Sequence, residues 1–367
     1  MSNLNSSQDK HLFFRSKLLD WYSHSLRPLP WKAEKDPYLV WLSEIILQQT
    51  RVEQGLPYYQ KFKQNYPTVQ AMAQASQDAI LKHWEGLGYY SRARNMHEAA
   101  QYVANQLSGQ FPSTYKDLLK LKGVGPYTAA AIASFAYDLP HAVVDGNVFR
   151  VLSRYLGADC PIDTTFGKRF FNQQAQQILD QKQPGLYNQA IMDFGATVCR
   201  PKKPTCTSCP MQSKCIAFQD RTINQLPVKS KKITRQQRYF HFVIFNIGEK
   251  VYIRKRTGKD IWLGLYEFPL IETKQPVFDQ SLLINNHDWK GWLKPNASFL
   301  LRRRSKPFQQ TLTHQLIAAT FWEFDLSSSN LITNPAFLLL ERKNLSNFAF
   351  PKVIDWYLND NSLYLNL

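Results

Sequence analysis

Two carboxylates and four thiols in this 367-residue chain have neighbours that fit them for chemistry. Glu44 lies inside Val40-Trp41-Leu42-Ser43-Glu44-Ile45-Ile46-Leu47. A carboxyl embedded in apolar side chains loses hydration, so its acid form is favoured and it suits a general acid near neutral pH. The bland alternative places it on the wet face of a helix. Asp145 ends the run Ala142-Val143-Val144-Asp145-Gly146-Asn147-Val148, just before a helical pattern. It reads as a helix cap or as a fixed anion, and the two roles are compatible. Cys199, Cys206, Cys209 and Cys215 form C-x6-C-x2-C-x5-C within 17 residues. Thiolates so crowded suit one metal centre. The spacing favours a [4Fe–4S] cluster over zinc, because only Cys206/Cys209 makes a short zinc knuckle. Cys160 stands apart and is expected to be an ordinary buried thiol.

Around these groups are features suited to a polyanion. The formal charge is +17, and a globular chain so basic commonly faces nucleic acid. Arg200, Lys202 and Lys203 fall between the first two cysteines, where a metal would pin them as a phosphate-facing patch or leave them a solvated loop. Leu121-Lys122-Gly123-Val124-Gly125-Pro126-Tyr127-Thr128-Ala129 joins two helical patterns. Gly123 and Gly125 are expected to allow backbone angles closed to other residues and to uncover N–H groups for a phosphate. The same spacing also fits a plain helix corner.

The elements that must position these groups change character once along the chain. Residues up to about 220 look helical, with a start at Asp36-Pro37 and apolar recurrence at Val40, Trp41, Ile45 and Val52. Further helical patterns cover 78–84, 92–107, 115–121, 128–137, 148–156 and 166–180. A basic stretch, 222–238, carries Lys229, Lys231, Lys232 and Arg235 and has linker composition. Beyond it, 239–247 and 251–255 read as a hairpin closed by a Gly-Glu-Lys break, 316–324 as a strand, and 350–358 as a last helix. No signal-peptide core and no apolar run of membrane-spanning length is present, and five cysteines are too few and too clustered for a secreted framework. A soluble, cytoplasmic, nucleoid-associated chain with no membrane partner is therefore expected.

With these residues in hand, the chain resembles the MutY family of adenine DNA glycosylases over nearly its full length. The resemblance rests on Leu29-Pro30-Trp31, Trp41-Leu42-Ser43-Glu44, Leu47-Gln48-Gln49-Thr50, Gly86-Leu87-Gly88-Tyr89-Tyr90, 121–129, 144–148 and the four cysteines. It implies a multidomain protein. An all-α helix-hairpin-helix domain with a [4Fe–4S] cluster would span 1–221, its six-helix region being about 30–138 and its iron–sulfur region being 1–29 with 139–221. A C-terminal α+β Nudix-like domain would span 239–367. It also implies a monomer that hydrolyses the N-glycosidic bond of adenine opposite 8-oxoguanine, or guanine, in double-stranded DNA. Glu44 would protonate adenine at N7 and Asp145 would stabilise the sugar cation, with Tyr127 and Asn147 in support. Strand-cutting relatives carry a lysine nucleophile where Tyr127 stands, so base removal without lyase chemistry is implied.

By the same resemblance Gln49 and Tyr89 would wedge into the duplex, and Thr50 and Leu87 would contact the 8-oxoguanine side. Trp31 and Lys32 would line the pocket of the flipped base. Many relatives carry arginine at Lys32, which puts a forked contact there in doubt. In the C-terminal domain, Trp262 to Pro269 carries the Nudix likeness, but the acidic Mg²⁺-binding helix is missing after it, which argues against Nudix hydrolysis. Thr313 and His314 of Leu312-Thr313-His314 match the family's Phe-Ser-His probe of 8-oxoguanine, without its aromatic. The rival readings are a non-catalytic iron–sulfur damage sensor, an endonuclease III-like glycosylase and a thymine-mismatch glycosylase.

Overall fold

The computed structural model describes residues 2–25, 27–230, 234–359 and 364–365. Lys231 and Lys232 of the basic stretch lie outside the described residues. The chain divides into two units, Met1–Gln74 with Asn95–Lys232, and Ala75–Arg94 with Ile233–Leu367.

The helices in chain order begin with α1 (Ser2–Ser23), α2 (Pro37–Leu47), α3 (Val52–Asn65), α4 (Val69–Gln74), α5 (Gln77–Trp84) and α6 (Ser91–Gln106). There follow α7 (Tyr115–Leu118), α8 (Pro126–Tyr137), α9 (Gly146–Leu156), α10 (Thr165–Ile178), α11 (Pro184–Thr197) and α12 (Ile216–Gln219). Asp36 caps α2 by accepting the Tyr38 N–H, and Pro37 sits at the first helical position, where its missing N–H costs nothing. Every residue of α2 from Tyr38 to Ile46 is buried, so this is a central helix, with Ser43 and Glu44 the polar residues on an otherwise apolar buried stretch. It ends at Leu47, and Gln49 turns the chain with a left-handed φ of 54°. Val52, expected to continue α2, instead opens α3.

The helices α1, α3, α4, α11 and α12 escape the apolar-period reading. The α1 segment is polar in character, and α11 starts at Pro184 with a mixed pattern. The α3 helix contains Gly55 and Pro57, both ordinary breakers. A Cβ on Gly55 would lie 2.8 Å from Leu47 Cδ2, so this glycine lets α3 close on α2. The expected helix 115–121 is a single turn, because the chain bends into the hairpin after Leu118.

That hairpin also departs from expectation. Gly123 has φ 77°, the left-handed region, and a Cβ there would meet Asn95 Cβ at 2.9 Å. Gly125 has φ −96° and ψ −179°, extended backbone open to any residue, and a Cβ there would meet nothing within 4 Å. Only the first glycine is required by the fold.

Among the described residues the second unit has nine strands: β1 (Gln236–Ile247), β2 (Lys250–Lys255), β3 (Tyr266–Glu267), β4 (Leu270–Thr273), β5 (Phe299–Ser305), β6 (Phe308–Thr311), β7 (Gln315–Leu326), β8 (Phe337–Glu341) and β9 (Tyr364–Leu365). Their order is β3-β2-β1-β7-β5-β9, with β4 beside β1, β6 beside β7 and β8 beside β2. The central pair, β1 and β7, runs parallel from Gln236↔Gln315 to Asn246↔Asp325. Both strands carry long unbroken buried stretches, the mark of strands covered on both faces. Short helices α13 (Gln280–Ile284) and α14 (His287–Lys290) bring Leu283 and Trp289 onto one face, beside Trp292, Phe245 and Phe324. The last helix is α15 (Lys352–Asn359). The β1–β2 turn is Gly248-Glu249, with Lys250 already paired to Ile247, one residue shorter than the expected break. Among the described residues no helix is long and apolar enough to cross a membrane.

The two hairpin glycines should separate in a urea melt. Gly123→Ala is expected to lose about 1–2 kcal/mol from its left-handed backbone alone, whereas Gly125→Ala should lose less than about 1 kcal/mol, as a plain N-cap change. Equal losses would contradict the backbone assignment.

Candidate active site

In the first unit α2, α8, α9 and α11 enclose a cavity of about 620 Å³. Glu44 and Tyr127 line it with Asp145 and Asn147, and so do Trp31, Lys32, Gln49 and Thr50. These eight predicted residues therefore share one space. Glu44 is 6% exposed, which settles against the wet-face alternative. Tyr127 Oη donates to Glu44 Oε2 at 2.7 Å. Burial lifts the Glu44 carboxyl to about 7; the Tyr127 hydrogen bond opposes this, and the nearby Asp145 charge adds to it. The Tyr127 phenol is itself pushed well above its ordinary range, chiefly by burial and then by the two carboxylates. It remains a donor at any working pH.

Asp145 is held differently. It caps α9, its Oδ1 accepting the N–H groups of Asn147 at 2.9 Å and Val148 at 2.8 Å. Asn147 Nδ2 donates to Oδ2 at 2.8 Å. Burial raises the Asp145 carboxyl, while these three donors and Arg150 pull it back. The cap and the fixed anion are thus one arrangement.

Arg150, which sequence reasoning passed over, ties this turn to the cysteine loop. Its Nη2 donates to Asn147 Oδ1 at 2.8 Å and to Gly195 O at 2.7 Å, and its Nε donates to Cys199 O at 2.7 Å. The available signal was its position three residues after Asn147, on the same helix face. Asp193, Gln189 and Met192 of α11 also line the cavity and were missed with that helix. Asp193 pairs with Lys32 Nζ, which lies 5.4 Å from the Tyr22 ring centroid. Gln189 Nε2 donates to Lys32 O at 2.9 Å. Trp31 is buried edge-on to Tyr59.

Cys199, Cys206, Cys209 and Cys215 line one largely apolar cavity with Phe14, Tyr155 and Met211, and none is in a disulfide. Among the described residues no group of three or more His, Cys, Asp or Glu side chains is placed to hold a metal ion. The four thiols line this common pocket, and thiolate is the donor type that an iron–sulfur cluster takes. Arg154 Nη1 reaches Cys199 Sγ at 3.5 Å and donates to Arg200 O at 2.8 Å, bracing the basic loop. Arg200, Lys202 and Lys203 are exposed. Cys160 is half-buried rather than buried.

Gly123 and Gly125 sit at the α7–α8 hairpin, outside the 620 Å³ cavity. Leu87, Tyr89, Thr313 and His314 belong to the second unit. Thr313 and His314 are exposed at the tip of the β6–β7 turn, and Leu87 is buried. Tyr89 Oη lies 3.0 Å from Thr313 Oγ1.

Residues 42–164 match the family model described as HhH-GPD superfamily base excision DNA repair protein, and residues 240–360 match the NUDIX domain. The first unit thus has the fold of helix-hairpin-helix repair glycosylases. An adenine DNA glycosylase of Buchnera aphidicola subsp. Schizaphis graminum is 34% identical over 349 residues, covering 94% of this chain and 92% of that one. The mouse adenine DNA glycosylase is 46% identical over 217 residues, 56% of this chain and 42% of that one. The chain belongs to the adenine DNA glycosylase family, hydrolases of N-glycosyl bonds. Among solved structures, a thermostable thymine-DNA glycosylase is similar with a TM-score of 0.55 and 29% identity, covering 59% of this chain and 99% of that one. An endonuclease III–DNA complex shares the fold at a TM-score of 0.50 and 20% identity, over 57% of this chain and 95% of that one.

Carbon-13 NMR of labelled glutamate carboxyls tests the geometry directly. Glu44 should titrate near 7. Because the Tyr127 hydroxyl stabilises the charged form, Tyr127→Phe should move the titration upward. A Glu44 midpoint in the ordinary carboxylate range would refute the burial argument.

Proposed function

We propose that this chain is a monofunctional glycosylase that removes adenine from opposite 8-oxoguanine in duplex DNA. The observation that carries the reading is the hydrogen-bonded, buried Glu44 in one cavity with a well-capped Asp145. Purine release needs a proton on the leaving base and negative charge beside the sugar cation that develops at C1′. Glu44, half protonated near neutral pH, gives its proton to adenine N7 while the C1′–N9 bond breaks. Asp145 is fixed by its donors as the anion facing the cation. Water then adds to C1′ and returns a proton to Glu44, leaving an abasic sugar and free adenine. Tyr127, neutral and committed to Glu44, offers no amine to form a Schiff base, so the strand stays intact.

Trp31 and Lys32 would border the flipped base, with Lys32 presenting one ammonium, oriented by Asp193, in place of a guanidinium fork. Gln49, in a left-handed turn, and Thr50 would meet the duplex beside it. Gly123 and Gly125 would bring the hairpin backbone to a phosphate, and the open space over Gly125 is compatible with that. Thr313 and His314 would read the 8-oxoguanine. The alternative of a non-catalytic sensor gives no account of a buried acid paired with a capped anion.

Cys199, Cys206, Cys209 and Cys215 would hold a [4Fe–4S] cluster. Such a cluster would cross-link the loop bearing Arg200, Lys202 and Lys203 and stiffen it against the phosphate backbone.

Incubation with duplexes bearing A opposite 8-oxoguanine, A opposite G, T opposite G or thymine glycol decides the activity. Abasic product is expected from the first, more slowly from the second, and no strand cleavage before alkali. Absence of product from the first would overturn the proposal. Glu44→Gln should cut single-turnover excision by roughly 10²-fold or more, with DNA binding retained. The parent rate should fall roughly tenfold per pH unit above about 7 as Glu44 loses its proton, and should fall again in acid as Asp145 gains one. Purified protein should contain iron and show a broad visible absorbance that zinc, a d¹⁰ ion, cannot give; zinc without iron would exclude the cluster.

A further inference from the structure

The cavity that holds Glu44 and Tyr127 is also lined by a group the excision chemistry leaves unused, the thioether of Met192 on α11. Its Sδ lies 3.9 Å from Tyr127 Oη, the hydroxyl that donates to Glu44 Oε2 at 2.7 Å. A phenol has one hydrogen to give and a thioether is a weak acceptor, so the carboxyl keeps the bond. That outcome depends on the sulfur remaining a thioether. Met192 is also the methionine that solvent reaches. Among the described residues Met72, Met96 and Met211 are 0%, 1% and 2% exposed, whereas Met192 is half-buried and lines a space of about 620 Å³. A small peroxide entering that space meets this methionine before the others.

With hydrogen peroxide the step is a two-electron oxidation of sulfur. A sulfur lone pair attacks one peroxide oxygen, and an S–O bond forms as the O–O bond breaks. The attacked oxygen's proton passes to the leaving hydroxide, which departs as water, so sulfur is oxidised and the peroxide is reduced. The product is a polar sulfoxide, whose oxygen accepts hydrogen bonds far better than the thioether did. On a sulfur 3.9 Å from the Tyr127 hydroxyl, that oxygen has the reach to take its hydrogen.

We propose that Met192 is a modification site through which peroxides slow the glycosylase: its sulfoxide draws the Tyr127 hydroxyl away from Glu44. This rests on the proposed role of Glu44 as the acid that releases adenine. The other charged and titratable groups lining the cavity are Asp145 ahead of α9, Arg27, and the Lys32–Asp193 pair. Tyr127 of α8 is the group in contact with both the sulfur and the carboxyl, so the effect runs through it. Without that donor the charged form of Glu44 is less stabilised, and the carboxyl keeps its proton to a pH above about 7. It is also no longer held in the direction from which a base takes the proton. Reduction of the sulfoxide restores the thioether, so the change is reversible. The lesion in the proposed substrate is itself an oxidation product of guanine, so substrate and switch answer to the same class of reagent.

The test treats the full-length protein with hydrogen peroxide and removes the excess. It then follows the mass of the peptide bearing Met192, the Glu44 titration by carbon-13 NMR, and single-turnover adenine excision across pH. Met192 should gain one oxygen before Met72, Met96 or Met211 does. The Glu44 midpoint should move upward, and the maximal excision rate should fall by roughly 2- to 10-fold, the worth of one hydrogen bond. Methionine sulfoxide reductases acting on both epimers should restore rate and midpoint together. Met192→Leu, compared with its own untreated rate, should be insensitive to the peroxide. In Tyr127→Phe, Met192 should still be oxidised but the Glu44 midpoint should stay where it was. Equal loss of rate in Met192→Leu would place the damage elsewhere and overturn the proposal, as would an oxidised Met192 with an unmoved Glu44 midpoint. A parent protein without excision before treatment would defeat the glycosylase reading alone, because the mass and the titration are read without turnover.

Discussion

A carboxyl that must deliver a proton near neutral pH has to be buried enough to keep that proton and still be held where a substrate can take it. In this chain Glu44 is buried and held by the hydrogen bond from Tyr127, which joins the two helices at the centre of the first unit. Burial is the larger effect and drives the carboxyl toward its neutral form. The phenol opposes it, so the balance falls at about 7 rather than far above. Neither helix has freedom to drift. α2 is capped by Asp36 and buried on every side, and α8 presents Ala129, Ala130, Ala131 and Ala133, small enough for close helix approach.

The second carboxylate faces the opposite requirement. An anion buried without donors would simply take up a proton. Asp145 avoids this through two backbone N–H groups and an amide, all supplied by the first turn of the helix it caps. Arg150 then extends the fixation, because one guanidinium serves Asn147 and the carbonyl of Cys199 together. The turn that carries the anion and the loop that carries the thiols are consequently not independent. Loosening of the cysteine loop would reach Asp145 through Arg150 and the Asn147 amide that it holds.

How much of this was legible depended on whether local chemistry or tertiary packing decided the outcome. Asp36-Pro37 and Asp145-Gly146-Asn147 carry their caps in the sequence, and the burial of Glu44 follows from its apolar neighbours. Pro57 and Gly55 mislead for the opposite reason: packing of Gly55 against Leu47 overrides local breaker propensity. Gly125 looks like Gly123 in sequence, but its backbone is ordinary, and only dihedral angles distinguish the two. Asp193 was not legible, because nothing in its neighbourhood in sequence announces the Lys32 it meets 161 positions away. Tyr89 and Thr313 were named through resemblance for separate reasons; their contact is visible only in three dimensions.

The second unit shows where polar chemistry remains available on a Nudix-like frame. Its most buried carboxylate, Glu323, receives Arg303, Arg342, Asn246 and Tyr357. A carboxylate so fully engaged stabilises the β7 core and has little capacity left for a cation. The short helix that follows β4, Gln280–Ile284, carries no carboxylate, and the adjoining Asp279 is spent capping it through the Ser281 N–H. Neither supplies the acidic cluster that a Mg²⁺-dependent hydrolase would need. What the frame does expose is the β6–β7 turn, rigid because β6 and β7 pair from Phe308↔Ala319 to Thr311↔Leu316 right up to it. The sheet is stiffened by its own buried charges and carries the Thr313 hydroxyl and the His314 imidazole exposed at a hairpin tip, whereas the buried acid lies on α2 of the first unit.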